Sequence, residues 1–201
     1  MTKIILMRHG EAEGNKNQIL MGCREGSYLT ENGKKQVEQV GLFLQKNLEI
    51  DHIFASPVQR AKETALIVNN YINTKISYDT ELREIDWGDI SGLHISQIPQ
   101  EISRGFHKNP FSYIHPNGES IEIMFQRVNN ILRKIPKNTD KTYLIITHDN
   151  VIKGLIASMK QLGKEALGFK ISNASLTYYD EVGEKYICEK FNQIVYKLPQ
   201  K

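Results

Sequence analysis

The chain has 201 residues, 40% of them hydrophobic, which is enough for one domain of good size with its own core. The net charge of +3 is small and comes from no polybasic run, and charged residues make up 24% of the chain, an ordinary share for a soluble protein. Because nucleic-acid binding needs a concentrated basic patch with interleaved aromatic side chains, the composition argues against that class of partner.

The cysteines and the apolar pattern indicate the cellular compartment of the protein. Cys23 and Cys188 lie far apart and match neither a disulfide framework nor a metal-ligand spacing. The apolar run after Lys3 is too short for a signal peptide, and no stretch approaches the roughly 18 apolar residues of a membrane span. We therefore expect a cytoplasmic protein with reduced cysteines and no membrane partner. With no internal repeat or linker, residues 1–201 are predicted to form a single domain.

The first predicted element is a buried strand over Ile4–Met7, which ends at Arg8, His9 and Gly10. A histidine directly past the end of a buried strand lies where open α/β sheets bind ligands. The planar guanidinium of Arg8 is suited to phosphate oxygens. The polar segment 12–28 that follows is predicted to be a long functional loop.

Two helix starts are predicted next. Thr30 is the expected N-cap of an amphipathic helix over 31–48, followed by a short strand over 50–55. Ser56 is then the expected N-cap of a second helix, in a capping box completed by a glutamine three residues later. Arg60 lies in the first turn of that helix, near the end of the preceding strand, where a helix N-terminus favours an anion.

The middle of the chain is less regular. An edge strand is predicted over 76–78, and loops with short helices over 87–118, where glycines and prolines recur. Ser120 is the expected N-cap of a helix with an apolar stripe that reaches Ile135. Arg127 lies off that stripe and is expected to be solvated.

The clearest strand, over 141–147, ends at His148, and Asp149 opens another helix. The chain closes with a predicted hairpin, with strands near 174–179 and 185–191. Strands that alternate with helices indicate an α/β fold with a mostly parallel sheet and an antiparallel edge strand.

Basic groups follow three of the predicted strands: Arg8 with His9, Arg60, and His148. Right-handed crossovers would bring these strand ends to one edge of one sheet. So much positive potential in one place is unfavourable unless an anion fills the space, and a phosphate monoester suits two guanidiniums and a helix N-terminus. The sequence therefore predicts a site for a small phosphorylated metabolite.

The same groups suggest a reaction. One neutral imidazole can attack phosphorus and carry the phosphoryl group, while the arginines and the second imidazole stabilise the charge on the equatorial oxygens. The leaving alkoxide needs a proton, and Glu84 is the candidate donor because a nearby dianion raises the pKa of a carboxyl group. The scheme needs no metal ion and no cofactor.

These motifs, taken together, resemble the histidine phosphatase superfamily, typified by cofactor-dependent phosphoglycerate mutase. They stand in the family's order and cover nearly the whole chain. The matching segments are Arg8-His9-Gly10-Glu11, Asn15, Ser56-Pro57-Val58-Gln59-Arg60-Ala61 with Thr64-Ala65, Glu81-Leu82-Arg83-Glu84 with Gly88, Gly118-Glu119-Ser120, and Thr147-His148.

The resemblance implies a three-layer α/β/α sandwich of the phosphoglycerate mutase type. It also implies that His9 is the phospho-acceptor, that Glu84 is the acid–base residue, and that the phosphate pocket is formed by Arg8, Arg60 and His148 with help from Asn15. Glu119, Ser120 and Asn173 match family positions without an assigned role.

Two departures from the family pattern matter. Asp149 stands where many members have glycine, and we interpret it as a cap of the following helix rather than as a charge that lowers the local positive potential. The chain also lacks the long insertion that mutases carry between the acidic Glu84 and the later Gly-Glu-Ser motif. A mutase must shelter its phosphohistidine from water, so this absence favours a phosphatase.

Three functions remain open at this stage. The leading one is a metal-independent phosphomonoesterase, and the second is phosphoryl transfer of the phosphoglycerate mutase type. The third is an inactive homologue that binds a phosphorylated ligand. The sequence contains no pattern that identifies the substrate or the oligomeric state.

Overall fold

The computed structural model describes residues 1–197, and residues 198–201 of the predicted domain 1–201 lie outside the described part. Strands and helices alternate along most of the chain. The strands are β1 (Lys3–Arg8), β2 (His52–Ala55), β3 (Lys75–Tyr78), β4 (Thr142–Thr147), β5 (Leu176–Val182) and β6 (Lys185–Gln193). The α-helices are α1 (Glu13–Lys16), α2 (Glu31–Asn47), α3 (Gln59–Ile72), α4 (Gln100–Lys108), α5 (Ile121–Lys134) and α6 (Asp149–Lys160).

The strands form one sheet in the order β3-β2-β4-β1-β5-β6. Strands β1 to β4 pair in parallel, whereas β5 is antiparallel to β1 and β6 is antiparallel to β5. The predicted parallel sheet with an antiparallel edge is confirmed, and that edge is a hairpin of two strands. Since β2, β4 and β1 are parallel neighbours, their carboxyl ends lie side by side at one edge of the sheet.

Helices cover both faces of the sheet, which makes the predicted three-layer sandwich. Alternate residues of β1 face opposite cores: Ile4 and Leu6 pack with α5 and α6, while Ile5 and Met7 pack with α2 and α3. Strand β4 alternates in the same way. Because both faces are covered, both strands read as continuous apolar runs in the sequence.

Of the three predicted Ser and Thr helix caps, two are confirmed and one is wrong. The hydroxyl of Thr30 accepts a hydrogen bond from the backbone N–H of Gly33, and Ser120 caps α5 in the same way. Ser56, however, does not cap α3, which begins at Gln59 after an N-cap, Val58, that makes no side-chain bond. The Ser56 hydroxyl instead lies 2.8 Å from Nε2 of His148.

The first turn of α2 passes very close to the segment after β1. A Cβ atom built on Gly33 would lie 1.9 Å from the carbonyl oxygen of Glu11, and one on Gly10 would lie 2.7 Å from the carbonyl oxygen of Gly33. Both neighbours are backbone atoms, which cannot move aside as a side chain can. Glycine at position 33 therefore allows α2 to pack directly against the strand end that carries Arg8 and His9.

Gly33→Ala should destabilise the protein, although alanine is normally favoured over glycine within a helix by about 1 kcal/mol. We expect the free energy of unfolding to fall by about 1–3 kcal/mol, the usual cost of overpacking, as measured by urea denaturation. Gly168→Ala is the control, because a Cβ there would meet no atom within 4 Å. Stabilisation by Gly33→Ala would contradict the close approach.

Candidate active site

The predicted site residues converge at the carboxyl ends of β1, β2 and β4, around a cavity of about 150 Å³. Five of the six line this cavity: Arg8, His9, Asn15, Arg60 and Glu84. The sixth, His148, is fully buried beside His9, and the centroids of the two rings are 5.2 Å apart. The fold thus brings together groups that are separated by well over a hundred residues in the chain.

Hydrogen bonds define the tautomer of His9. Its Nδ1 lies 2.7 Å from the carbonyl oxygen of Gly10, which can only accept, so Nδ1 carries the proton and Nε2 carries the lone pair. Nε–H of Arg60 donates to that Nε2 over 3.2 Å. Burial, together with the positive charges of Arg60 and Arg8, lowers the pKa of His9 well below its ordinary value. His9 is therefore a neutral imidazole with its lone pair on Nε2.

Three nitrogen atoms around His9 are buried without a hydrogen-bond partner among residues 1–197: Nε of Arg8, Nη1 of Arg60 and Nδ1 of His148. Other nitrogens of the two arginines are satisfied, since Arg8 donates to the carbonyl of Ile171 over 2.6 Å and Arg60 to that of Gly22 over 2.7 Å. A buried donor without a partner costs free energy. An anion with several oxygens would satisfy these atoms together.

His148 is held by a residue whose role the sequence did not reveal. Its Nε2 lies 2.8 Å from the hydroxyl of Ser56, at the end of β2. Burial and the nearby Arg60, His9 and Arg8 lower the pKa of His148 well below its ordinary value, so this imidazole is also neutral. The Ser-Pro pair after β2 is the sequence feature that marks this contact. The local capping rule predicts a helix cap at the same serine.

Glu84 also lines the cavity and is only 8% exposed. One carboxyl oxygen accepts a 3.0 Å hydrogen bond from the N–H of Ile85, and the other lies 3.5 Å from the N–H of Asn150. Burial raises the pKa of Glu84, with a further contribution from the negative charge of Asp149, against the opposing effects of Ile85 N–H, Arg60 and Arg8. Glu84 therefore keeps its proton to a higher pH than an exposed glutamic acid.

Arg127 holds the segment that carries Glu84, and the prediction that it is solvated is wrong. Its guanidinium donates to the backbone carbonyls of Glu81 and Glu84, over 2.6 and 3.1 Å. It also binds both carboxylate oxygens of Glu119, at 3.2 and 2.7 Å. The helical pattern shows only that Arg127 lies off the apolar stripe of α5. The segment before α5 folds back over that side of the helix and covers Arg127.

Asn15 and Asn173 connect the loop after β1 to the strand end. The side-chain amide of Asn173 donates to the carbonyl of His9 and to Oδ1 of Asn15, both over 3.3 Å. The same Asn15 oxygen accepts from the N–H of Ala12 over 3.1 Å. These bonds place Asn15 at the cavity and give Asn173 a structural position beside the nucleophile.

Asp149 does not cap α6, contrary to our preferred interpretation. The N-cap is His148, which makes no side-chain capping bond, and Asp149 is the first helical residue. Its carboxylate instead pairs with Nζ of Lys153 over 2.8 Å and lines the cavity. The two predicted loop regions also contribute to the wall, with the apolar side chains of Ile19, Leu20, Met21 and Trp87 and with Gly14, Gly22 and Ser27.

The cysteines and the other potential metal ligands of residues 1–197 form no further site of a recognisable type. In that span, no three His, Cys, Asp or Glu side chains gather into a group that could hold a metal ion. Cys23 and Cys188 are both free thiols. Within the same span, no helix combines the length and the apolar content required to cross a bilayer.

Comparison with known proteins identifies the family. The model for the "Histidine phosphatase superfamily (branch 1)" matches residues 4–194. A Bacillus subtilis protein named "Uncharacterized phosphatase PhoE" is 29% identical over 193 residues, covering 96% of this chain and 95% of the relative. A "2,3-bisphosphoglycerate-dependent phosphoglycerate mutase" from Thermoplasma acidophilum is 28% identical over 185 residues, covering 89% and 88%.

A solved structure agrees with the family model. "Bacillus stearothermophilus YhfR" superposes with a TM-score of 0.88 at 27% identity, covering 96% of this chain and 98% of that one. The phosphoglycerate mutase-like fold and the resemblance drawn from the motifs are thus confirmed, and relatives in this group are named as phosphatases or phosphoglycerate mutases. Since the family model extends from β1 to the end of β6, this protein belongs to the histidine phosphatase superfamily.

Proposed function

We propose that this protein is a phosphatase that hydrolyses a small phosphomonoester through a phosphohistidine on His9, with Glu84 as general acid and base. The observation that carries the proposal is the set of unpartnered buried nitrogens on Arg8, Arg60 and His148. The first two belong to guanidiniums, which are permanent donors and cannot lose their charge. A phosphoryl group offers several acceptor oxygens and the matching negative charge.

The first chemical step transfers the phosphoryl group to the protein. The lone pair on Nε2 of His9 attacks phosphorus, a P–N bond forms, and the P–O bond to the alcohol breaks. Glu84 gives its proton to the departing alkoxide, while the hydrogen bond from Nε–H of Arg60 passes from His9 to a phosphoryl oxygen. The product of this step is an alcohol, a phosphohistidine and an ionised Glu84.

The second step returns the protein to its starting state. The Glu84 carboxylate takes a proton from water, the water oxygen attacks phosphorus, and the P–N bond breaks with its electron pair returning to Nε2. Nδ1 of His9 keeps its proton throughout, because the carbonyl of Gly10 holds it. Inorganic phosphate is the second product.

The pKa shifts serve this chemistry, which needs a neutral His9 and a protonated Glu84. With ordinary pKa values of 6.5 and 4.5, each group would be in the required form in about one molecule in ten near pH 5.5, so about 1% of molecules would have both. Burial lowers the pKa of His9 and raises that of Glu84. Both shifts enlarge the productive fraction.

The proposal includes independence from metal ions, a cytoplasmic location and a small phosphorylated metabolite as substrate. Two guanidiniums and two imidazoles are available to the transferring phosphoryl group, so no further cation is required by the scheme. Free thiols are typical of a reducing compartment. Phosphoglycerate mutase activity is the second candidate, because a relative of that name matches most of the chain.

His9→Ala should abolish turnover, because the nucleophilic nitrogen is lost. The assay measures phosphate release from a panel of phosphomonoesters with chelator present, alongside trapping of an acid-labile phosphohistidine. His52→Ala is the matched control, since that histidine lies at the amino end of β2, away from the cavity.

The products decide among the candidates. Chelator-resistant phosphate release that is lost in His9→Ala is the expected result. Phosphoryl exchange between positions of the substrate, without release, would indicate a mutase. Bound phosphate without a trapped phosphohistidine would indicate an inactive binding protein. Full activity in His9→Ala would refute the proposed nucleophile.

Glu84→Gln should slow alkyl phosphates much more than an aryl phosphate, because an alkoxide needs a proton to leave and an activated phenolate does not. We expect a loss in kcat of about 10²–10⁴-fold for the alkyl ester, the usual contribution of general acid catalysis. Glu184→Gln, in the exposed turn of the β5–β6 hairpin, is the control. Equal slowing of both substrate types would remove Glu84 from the acid role.

The pH profile of kcat/KM for an alkyl ester should be bell-shaped. Activity should fall on the acid side at a pH below 6.5, because the lowered pKa of His9 sets that limb. It should fall on the alkaline side at a pH above 4.5, because Glu84 has a raised pKa. Glu84→Gln should keep the acid limb of the profile and lose the alkaline limb. Wild type and variant act on the same ester, so ionisation of the ester cannot produce a difference between their profiles. An unchanged alkaline limb would contradict the assignment.

A further inference from the structure

The charges around the cavity are distributed unevenly. The cations among the described residues that line it are Arg8 and Arg60, and both lie beside His9 at the end assigned to the phosphoryl group. The rest of the lining offers apolar side chains, the polar Asn15, Ser27 and Asn150, and two carboxyl groups, those of the proposed acid Glu84 and of Asp149. The part of a substrate beyond its phosphate therefore meets an anion and no cation.

Asp149 presents its negative charge to the cavity. Its partner Lys153 lies one turn further along α6 and is not part of the lining. The Asp149 side chain is 25% exposed and that of Lys153 only 12%. The pair thus directs its negative end toward the cavity while the ammonium group lies behind it. Because Lys153 already balances the carboxylate, the oxygens are available as hydrogen-bond acceptors without requiring a cationic substrate.

The cavity is also small, with a rigid aromatic wall. A Cβ on Gly22 would lie 2.8 Å from the Trp87 indole, and that indole packs edge-on against His115 and Phe106. A volume of about 150 Å³ beside this wall suits an alcohol of a few carbons.

From this arrangement we propose that Asp149 is a specificity-determining residue, which selects phosphate esters of short, uncharged polyols and rejects esters that carry a carboxylate or a second phosphate. The inference rests on the proposed function. A substrate hydroxyl can donate to the Asp149 carboxylate, whereas a substrate carboxylate would bring a second negative charge against those oxygens while Lys153 is already engaged by the first. Such a site disfavours phosphoglycerates, the substrates that a mutase would need.

The test uses glycerol 3-phosphate and 3-phosphoglycerate, which differ only by a CH₂OH group in place of a carboxylate. The measurement is the ratio of kcat/KM for the two esters. Wild-type protein should favour glycerol 3-phosphate by about tenfold or more, as expected for a like-charge contact. Asp149→Asn should reduce this ratio about tenfold, and Lys153→Met, which leaves the Asp149 charge unbalanced, should increase it.

Asp149 also raises the pKa of Glu84. That effect changes kcat/KM of both esters alike, so it cancels in their ratio. Asp140→Asn, at a fully exposed carboxylate far from the cavity, is the control and should leave the ratio unchanged. A preference for 3-phosphoglycerate, or an unchanged ratio in both Asp149→Asn and Lys153→Met, would overturn the inference alone. No turnover of either ester or of an aryl phosphate by wild-type protein would overturn the proposed function and this inference with it.

Discussion

The site depends on positive charge that the fold cannot neutralise internally. Arg8 and Arg60 place two guanidiniums beside His9, and Arg60 is buried at the edge of the sheet. Their combined field, added to burial, keeps His9 and His148 neutral, since burial and these two charges all lower the pKa values of both imidazoles. His9 is thus kept unprotonated by the same charges that, in the proposed function, attract the phosphoryl group. One arrangement would then provide both binding and reactivity.

The positions of His9 and Glu84 are set by contacts with other parts of the chain. Arg127 on α5 fixes the backbone of the Glu84 segment, and the hydroxyl of Thr147, at the end of β4, donates to the carbonyl of Leu82 in the same segment over 2.7 Å. His9 is positioned by the carbonyl of Gly10. His9 and Glu84 line the same small cavity and are held there by these contacts before any ligand arrives.

The sequence predicts a side-chain hydrogen bond correctly where the partner is a nearby backbone group. It fails where a polar side chain can also reach a partner brought near by the fold. The caps at Thr30 and Ser120 follow from short-range rules and are present. Ser56 fits the same rule, yet its hydroxyl bonds to His148, which is 92 residues away. Asp149 occupies a cap-like position and pairs with Lys153 instead, one helical turn onward. In each case the local rule names one possible partner, and the fold supplies a better one.

The sequence by itself determined the alternation of strands and helices, the residues that end each strand, and the motifs that mark the family. These features rest on periodicity and on the rule that parallel strands share a carboxyl edge, so they need no atomic positions. Only the tertiary structure decided which nitrogen of His9 holds the lone pair, which buried donors lack partners, and which side of the Asp149–Lys153 pair faces the cavity. These properties depend on distances of about 3 Å between groups far apart in the chain, and spacing along the sequence does not contain them.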